Sequence, residues 1–343
     1  MKHAATVHDE AHAPGPALWT NGDTTRWIIA WLIVVLDAVW LAVTGRSIAL
    51  EDVQQCLAVI AQLGCVTAGL ALMLHGPIAR RDPKYRKLAK RLRAGELAIL
   101  IQALAWLIVF SGSVSVLSYL VVSLAPPLVD NQLAAMDTAL GLDWMSWYQW
   151  VKAHPQIDEV LRCAYMSGQG QLLLIVVLIG LAGPIRLLRE LLSNLLIALL
   201  LLFLIAAPFP AAGAFHHYAG TGAVSQADLA SFSHLFPLRD GSLKVFSLNA
   251  MQGLVSMPSF HTATALFYIQ ATRWSRLALA ISVPLNVIMI SSTPTVGGHY
   301  FVDVLGGFVL WAFTVFVLRW ITRATWRGAD SRPLPSSTAS QPG

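Results

Sequence analysis

The clearest chemical potential lies in Gly297-Gly298-His299-Tyr300-Phe301-Val302-Asp303. Helix positions four apart stack on one face, so the Asp303 carboxylate can accept the Nδ1 proton of His299 and leave Nε2 with its lone pair aimed outward. That is a nucleophile with an orienting partner, the arrangement of covalent catalysis. Gly297 and Gly298 allow backbone to approach an oxyanion closely. A second stretch, Ser256-Met257-Pro258-Ser259-Phe260-His261, places Pro258 where a first helical turn tolerates it. The N–H groups that follow form an anion site strengthened by the helix dipole, so Ser259 and His261 would stand beside a bound phosphate. One such histidine alone reads as a cap or a snorkelling side chain. The His-x3-Asp pair with a second His reads as a site.

These groups must be held by the elements around them. The 343 residues include 23 basic and 18 acidic side chains, 12% charged, and 56% apolar residues with a mean hydropathy of +0.62. Soluble domains carry about 25% charge. So few charges cannot cover a water-exposed surface of this size, and several apolar runs reach the ~18 residues that cross a hydrocarbon core. A soluble globule is excluded. The expected fold is all-α, a polytopic membrane helical bundle with eight spans near residues 26–44, 54–75, 96–124, 158–182, 188–208, 259–273, 276–292 and 299–321. The sixth is short and polar at both ends. It runs in the same direction as the eighth, so His261 and His299 are expected at one depth.

Residues 1–25 lack the pattern of a signal peptide and read as a disordered tail, as does 322–343 by composition. Loop 125–157, rich in Trp and Tyr with alternating acids, reads as one or two interfacial helices; 209–258 is a second large loop. Cys56, Cys65 and Cys163 make no disulfide framework.

Sidedness follows from charge. Residues 80–93 hold eight of the 23 basic residues, and such a cluster stays cytoplasmic. Eight alternating spans then put both termini and 18 basic residues inside, with five outside: Arg46, Lys152, Arg162, Arg239 and Lys244. Both large loops face outward. In a membrane protein this charge reports orientation rather than a nucleic-acid partner. The expected partner is a membrane lipid.

The stretches PSFH and STPTVGGHYFVDVLGG, with APFPAAGAF before the outer loop, resemble the type 2 phosphatidic acid phosphatase superfamily, and within it the inositolphosphotransferases of the aureobasidin-resistance type. The resemblance covers roughly residues 95–321. It leaves residues 26–94, two extra spans and the basic loop, unmatched. It implies a six-helix core in which His299 attacks phosphorus to form a phosphohistidine, Asp303 orients His299, and His261 protonates the leaving alkoxide. No metal or other cofactor is expected, because the histidines supply nucleophile and acid.

Two departures bear on substrate. The superfamily's K-x6-R-P motif would fall at Pro208-Phe209-Pro210-Ala211-Ala212-Gly213, which has no basic residue, and its Ser-Arg pair appears as Ser292-Thr293. Phosphoryl transfer depends on neutralising the equatorial oxygens, and a dianionic monoester needs those cations more than a monoanionic diester does. The expected reaction is therefore transfer of a phospho-headgroup, inositol phosphate by resemblance, from a phospholipid to a lipid hydroxyl. A lipid phosphate phosphatase acting on phosphatidate or a polyprenyl (pyro)phosphate is the alternative, and a non-enzymatic transporter or scaffold is the rival of another class. The expected substrate-binding residues are Ser259, Gly298, Arg239 and Lys244, the last two as substitutes for the missing cations. His216, His217 and His234 match no common zinc spacing and read as loop histidines or as hydrogen-bonding partners of the headgroup.

Overall fold

The computed structural model describes residues 19–75, 84, 87, 88 and 91–330. Most of the basic cluster 80–93 and most of both expected tails lie outside them. Helix α1 spans Asn21–Thr44, α2 Leu50–His75, α3 Ala94–Val122, α4 Asp130–Ala139, α5 Trp144–Lys152, α6 Pro155–Ala182 and α7 Ile185–Ala206. Short helices follow, α8 at Ala214–His217, α9 at Gln226–Ala230 and α10 at Leu235–Arg239, before α11 at Phe260–Thr272, α12 at Arg276–Val296 and α13 at Phe301–Asp330. The exception to helix is a two-residue parallel pairing of β1, Ser47–Ile48, with β2, Val245–Phe246. The chain is an all-α polytopic bundle.

Among the described residues seven helices are long and apolar enough to cross a membrane: α1, α2, α3, α6, α7, α12 and α13. The expected sixth span, 259–273, is the 13-residue α11, which is too short to be counted among the seven. At 1.5 Å per residue it is about 20 Å long, short of a hydrocarbon core. Its start is set by Ser259, whose hydroxyl accepts from Thr262 N, after a non-helical run through 251–258. The short helix still joins the two ends of the bundle. Ser259 N donates to Asp303 O at 2.9 Å, while at the far end Gln270 Nε2 and Arg273 Nη2 both reach the Glu190 carboxylate at 2.7 Å, near the start of α7.

Two boundaries also differ from expectation. Helix α1 begins inside the stretch expected to be disordered, because Thr20 and Asp23 form a reciprocal capping box ahead of the apolar run. Helix α13 continues to Asp330, past the expected limit at 321. Loop 125–157 does form two helices, α4 and α5.

Helices α3, α6, α7, α11, α12 and α13 pack on one another as a six-helix core, and α1 and α2 lie against α3 from outside. Between lipid-embedded helices, close contact and hydrogen bonds replace the hydrophobic drive. Asn286 Nδ2 donates to Gln171 Oε1 at 2.9 Å, and Tyr268 Oη donates to Gly168 O at 3.0 Å. Each such bond contributes about 0.6 kcal/mol. A second apolar cluster gathers Trp144, Tyr148, Phe215 and Tyr300 at the end of the bundle where α13 begins. Trp144 stacks on both Tyr148 and Tyr218, and this aromatic block backs the His299 loop.

Candidate active site

His299 lies in the turn between α12 and α13. Its position is set from both sides. Trp144 Nε1, on α5, donates to Pro294 O at 3.2 Å and to His299 O at 3.0 Å. Gly298 has a φ of +62°, and its carbonyl accepts from Ala214 N at 2.7 Å. A Cβ on Gly298 would meet the Phe215 ring at 2.8 Å. Both the left-handed backbone and the close approach therefore require glycine there.

Asp303, one turn into α13, is wholly buried, and His299 is 4% exposed. His299 Nδ1 stands 3.5 Å from Asp303 Oδ2. That is longer than a formed hydrogen bond, and catalytic pairs commonly tighten only with substrate in place. Ser256 Oγ donates to Asp303 Oδ2 at 2.6 Å and Tyr300 N at 3.0 Å, so the carboxylate is oriented independently of the imidazole. Asp303 Oδ1 and His299 Nδ1 are buried with no hydrogen-bond partner among the described residues.

His261, on the first turn of α11, joins this centre through Tyr165 of α6. The Tyr165 and His261 rings stack at 4.1 Å. The Tyr165 hydroxyl and the His299 ring both come within 3 Å of the point where a Cβ on Gly297 would stand. Two loops distant in sequence thus converge on one place. The imidazoles lie close enough that charge on one opposes charge on the other.

The remaining expected site residues divide. Ser259 is fully buried; its hydroxyl caps α11 and lies 3.2 Å from Thr262 Oγ1, which leaves it no open face. Arg239 lines a small cleft together with Ser256, Met257 and Pro210, so it does share a wall with the Asp303 partner. Its Nη2 donates to Pro126 O at 2.6 Å, whereas Nη1 is buried without a partner among the described residues. Burial pushes this guanidinium below its ordinary value, opposed by the charge of Asp130. Lys244 is exposed beside β2, and no described contact of its side chain links it to His299.

Ser292 and Thr293, which stand where the resemblance implies Ser-Arg, are fully buried with hydroxyls turned back onto Met289 O and Ile290 O. They supply no cation. The loop histidines separate: His234 Nδ1 meets Tyr119 Oη at 2.7 Å, His216 lies edge-on to Phe232 and Phe236, and His217 lies against Tyr300. Among the described residues no group of three His, Cys, Asp or Glu side chains is placed to hold a metal ion.

Two acids on α4 are the residues that sequence reasoning passes over. Asp130 accepts from Ala212 N and Gly213 N, each at 2.9 Å, and from Tyr300 Oη at 2.9 Å. It ties the 207–213 segment to the residue after His299. Asp137 accepts from Phe301 N at 2.9 Å and Val302 N at 2.8 Å, the first free N–H groups of α13. Burial raises its carboxyl above the ordinary range, and Asp303's charge adds to this; the two backbone donors oppose it. The two acids lie seven apart, hence on one helix face, and that spacing was the available signal. Tyr165 carried no such signal.

A family model described as the PAP2 superfamily matches residues 131–317. The match contains Asp137, Arg239, His261, His299 and Asp303, and begins later than the 95 expected from the motifs. Comparison with curated proteins and with solved structures gives no match. Together, the seven membrane-length helices, the converging histidines and a match over more than half of its length place this multi-pass integral membrane protein in the PAP2 superfamily, whose members are generally phosphatases and phosphotransferases.

Proposed function

We propose that the protein is a membrane phosphotransferase that moves a phospho-headgroup from a phospholipid to a lipid hydroxyl through a phosphohistidine on His299. The observation that carries this reading is the buried His299–Asp303 pair, with the carboxylate held by Ser256 and Tyr300 N and with His261 alongside. In the first half-reaction Nε2 of His299 attacks phosphorus. The N–P bond forms as the P–O bond to the diacylglycerol oxygen breaks, and His261 gives that oxygen its proton. In the second, the acceptor hydroxyl passes its proton to His261, attacks phosphorus and releases His299. Asp303 holds the imidazole orientation and stabilises the charge that develops on it.

A phosphodiester donor is favoured by the scarcity of cations. The 208–213 segment offers none and Thr293 is turned inward, which leaves Arg239 in the cleft beside Ser256. One guanidinium matches the single negative charge of a diester better than the two of a monoester. Inositol phosphate is the headgroup that the motif resemblance suggests. The active site is assigned to the outer face of a bacterial inner membrane, opposite the cytoplasmic 80–93 cluster and both termini.

Labelled phosphatidylinositol and labelled phosphatidate, each supplied to the purified protein with a lipid-alcohol acceptor, test this. The expected result is a new labelled phospholipid from the first and an acid-labile phosphoprotein, both lost in His299→Ala. Free phosphate from phosphatidate without lipid product from phosphatidylinositol would replace the transferase by a phosphatase. Unchanged turnover in His299→Ala would leave the histidines a packing role.

A further inference from the structure

Tyr165 of α6 stands beside both histidines without a part in either half-reaction. Its stretch of helix is fixed by both neighbours: Tyr268 Oη of α11 donates to Gly168 O at 3.0 Å, and Asn286 Nδ2 of α12 donates to Gln171 Oε1 at 2.9 Å. The Tyr165 ring stacks on His261 with centroids 4.1 Å apart and planes inclined by 25°. Tyr165 and His261 are both half-buried, so packing does not seal the place beside them.

The hydroxyl stands at the working edge of His299. A Cβ on Gly297 would meet Tyr165 Oη at 2.7 Å and His299 Cδ2 at 2.9 Å. Cδ2 is the ring carbon bonded to Nε2, so the phenol flanks the nitrogen that attacks phosphorus, whereas Nδ1, on the other edge, faces Asp303. Gly297 ends α12 with φ −93° and ψ −1°, a conformation that does not require glycine. Its missing side chain is therefore a matter of space, and the space is taken by this hydroxyl and this imidazole.

Tyr165 Oη makes no hydrogen bond among the described residues. A phenol held at this depth pairs with an acceptor when it can, because an unmade bond there costs the desolvation of the group. Phosphorus carried on Nε2 supplies acceptors, since it sets its non-bridging oxygens on the side of the ring where Oη stands. Those oxygens need donors as charge develops on them. Ser292 and Thr293, near the same end of α12, turn their hydroxyls onto Met289 O and Ile290 O instead. We propose that Tyr165 is a catalytic hydrogen-bond donor, its hydroxyl donating to a non-bridging oxygen of the phosphoryl group as that group passes onto and off His299. The phenol keeps its proton throughout, and His261 exchanges protons with the leaving and attacking oxygens. The inference rests on His299 as the nucleophile and is independent of which lipid is the donor.

The test uses the full chain in detergent with labelled phosphatidylinositol or phosphatidate, whichever it turns over, and with orthovanadate, a trigonal-bipyramidal analogue of the transferring group. Tyr165→Phe keeps the ring on His261 and removes the hydroxyl. Its kcat is expected to fall about tenfold to a hundredfold with KM little changed. Inhibition by orthovanadate should weaken by a similar factor, because a donor that acts on the transition state acts on its analogue, while the thermal unfolding midpoint stays at the parent value. Para-aminophenylalanine in place of Tyr165, similar in shape and still a donor, should restore both kcat and inhibition. A parental kcat in Tyr165→Phe, a fall in kcat with vanadate inhibition unchanged, or a para-aminophenylalanine protein as slow as Tyr165→Phe would each overturn the proposal and leave Tyr165 a packing role. His299→Ala separates the two levels: turnover in that variant removes the nucleophile and the proposal with it, whereas an inactive His299→Ala beside a fully active Tyr165→Phe removes the proposal alone.

Discussion

Asp137→Ala tests whether the nucleophile is held by a helix that it does not belong to. The Asp137 carboxylate bridges Phe301 N at 2.9 Å and Val302 N at 2.8 Å, immediately after the turn that carries His299. Alanine leaves both N–H groups without an acceptor. Loss of a buried hydrogen bond to a charged group costs about 1.5–3 kcal/mol, and loss of an N-cap about 0.5–2 kcal/mol; the two bonds act on one helix start, so about 2–4 kcal/mol is expected.

Relaxation of that start moves His299 relative to Asp303, and a shift of about 1 Å in a reacting group costs on the order of a hundredfold in rate. The assay is steady-state lipid turnover with kcat and KM separated, beside thermal unfolding in the same detergent. A roughly hundredfold fall in kcat with little change in KM is expected, together with a lower unfolding midpoint. Asp137→Asn keeps one acceptor and turns an NH2 toward the other N–H, so its loss should be intermediate. A folded Asp137→Ala protein with wild-type kcat would refute the reasoning.

Three further outcomes follow from the same geometry. Gly298→Ala must place a Cβ 2.8 Å from the Phe215 ring at a φ of +62°, at a cost of about 1–3 kcal/mol; its unfolding midpoint and turnover should both fall, and normal values would contradict the packing argument. Ser256→Ala removes the 2.6 Å donor to Asp303 Oδ2 and should lower kcat about tenfold, the rate equivalent of about 1.4 kcal/mol, as read from initial rates at saturating lipid. For His216, burial moves the imidazole below 6.5, and its buried Nε2 lacks a partner among the described residues. The unfolded chain then binds the proton more readily, so this contribution to stability is present above pH 6.5 and is lost as pH falls through the folded value. Unfolding midpoints measured from pH 7.5 downward should therefore decline less in His216→Gln than in the parent protein.

Much of this architecture was legible in the chain itself. Hydropathy and charge scarcity decide a membrane bundle, because a hydrocarbon solvent admits few charges and requires every backbone group to be satisfied within a helix. His299 and Asp303 could be paired from their spacing alone, since four residues are one helical turn. The capping box of Thr20 and Asp23 was equally local, but it precedes the apolar run by which a span is found, so the helix starts earlier than hydropathy marks it. The extent of α11 was local as well: the polar residues at both ends bound it at 259–273, and Ser259 caps the 13-residue helix within those limits.

Other features belong to tertiary structure alone. Asp130 and Asp137 read as interfacial acids until α4 is folded against the His299 turn, where they take up five donors from the 212–213 and 300–302 segments. Arg239 and Lys244 are alike by sequence, and only the packing of α10 separates a guanidinium in the cleft from an exposed ammonium. Spacing along the chain reports what shares a helix face. Which faces then meet depends on contacts between residues far apart in sequence, and the chain order carries no local record of those.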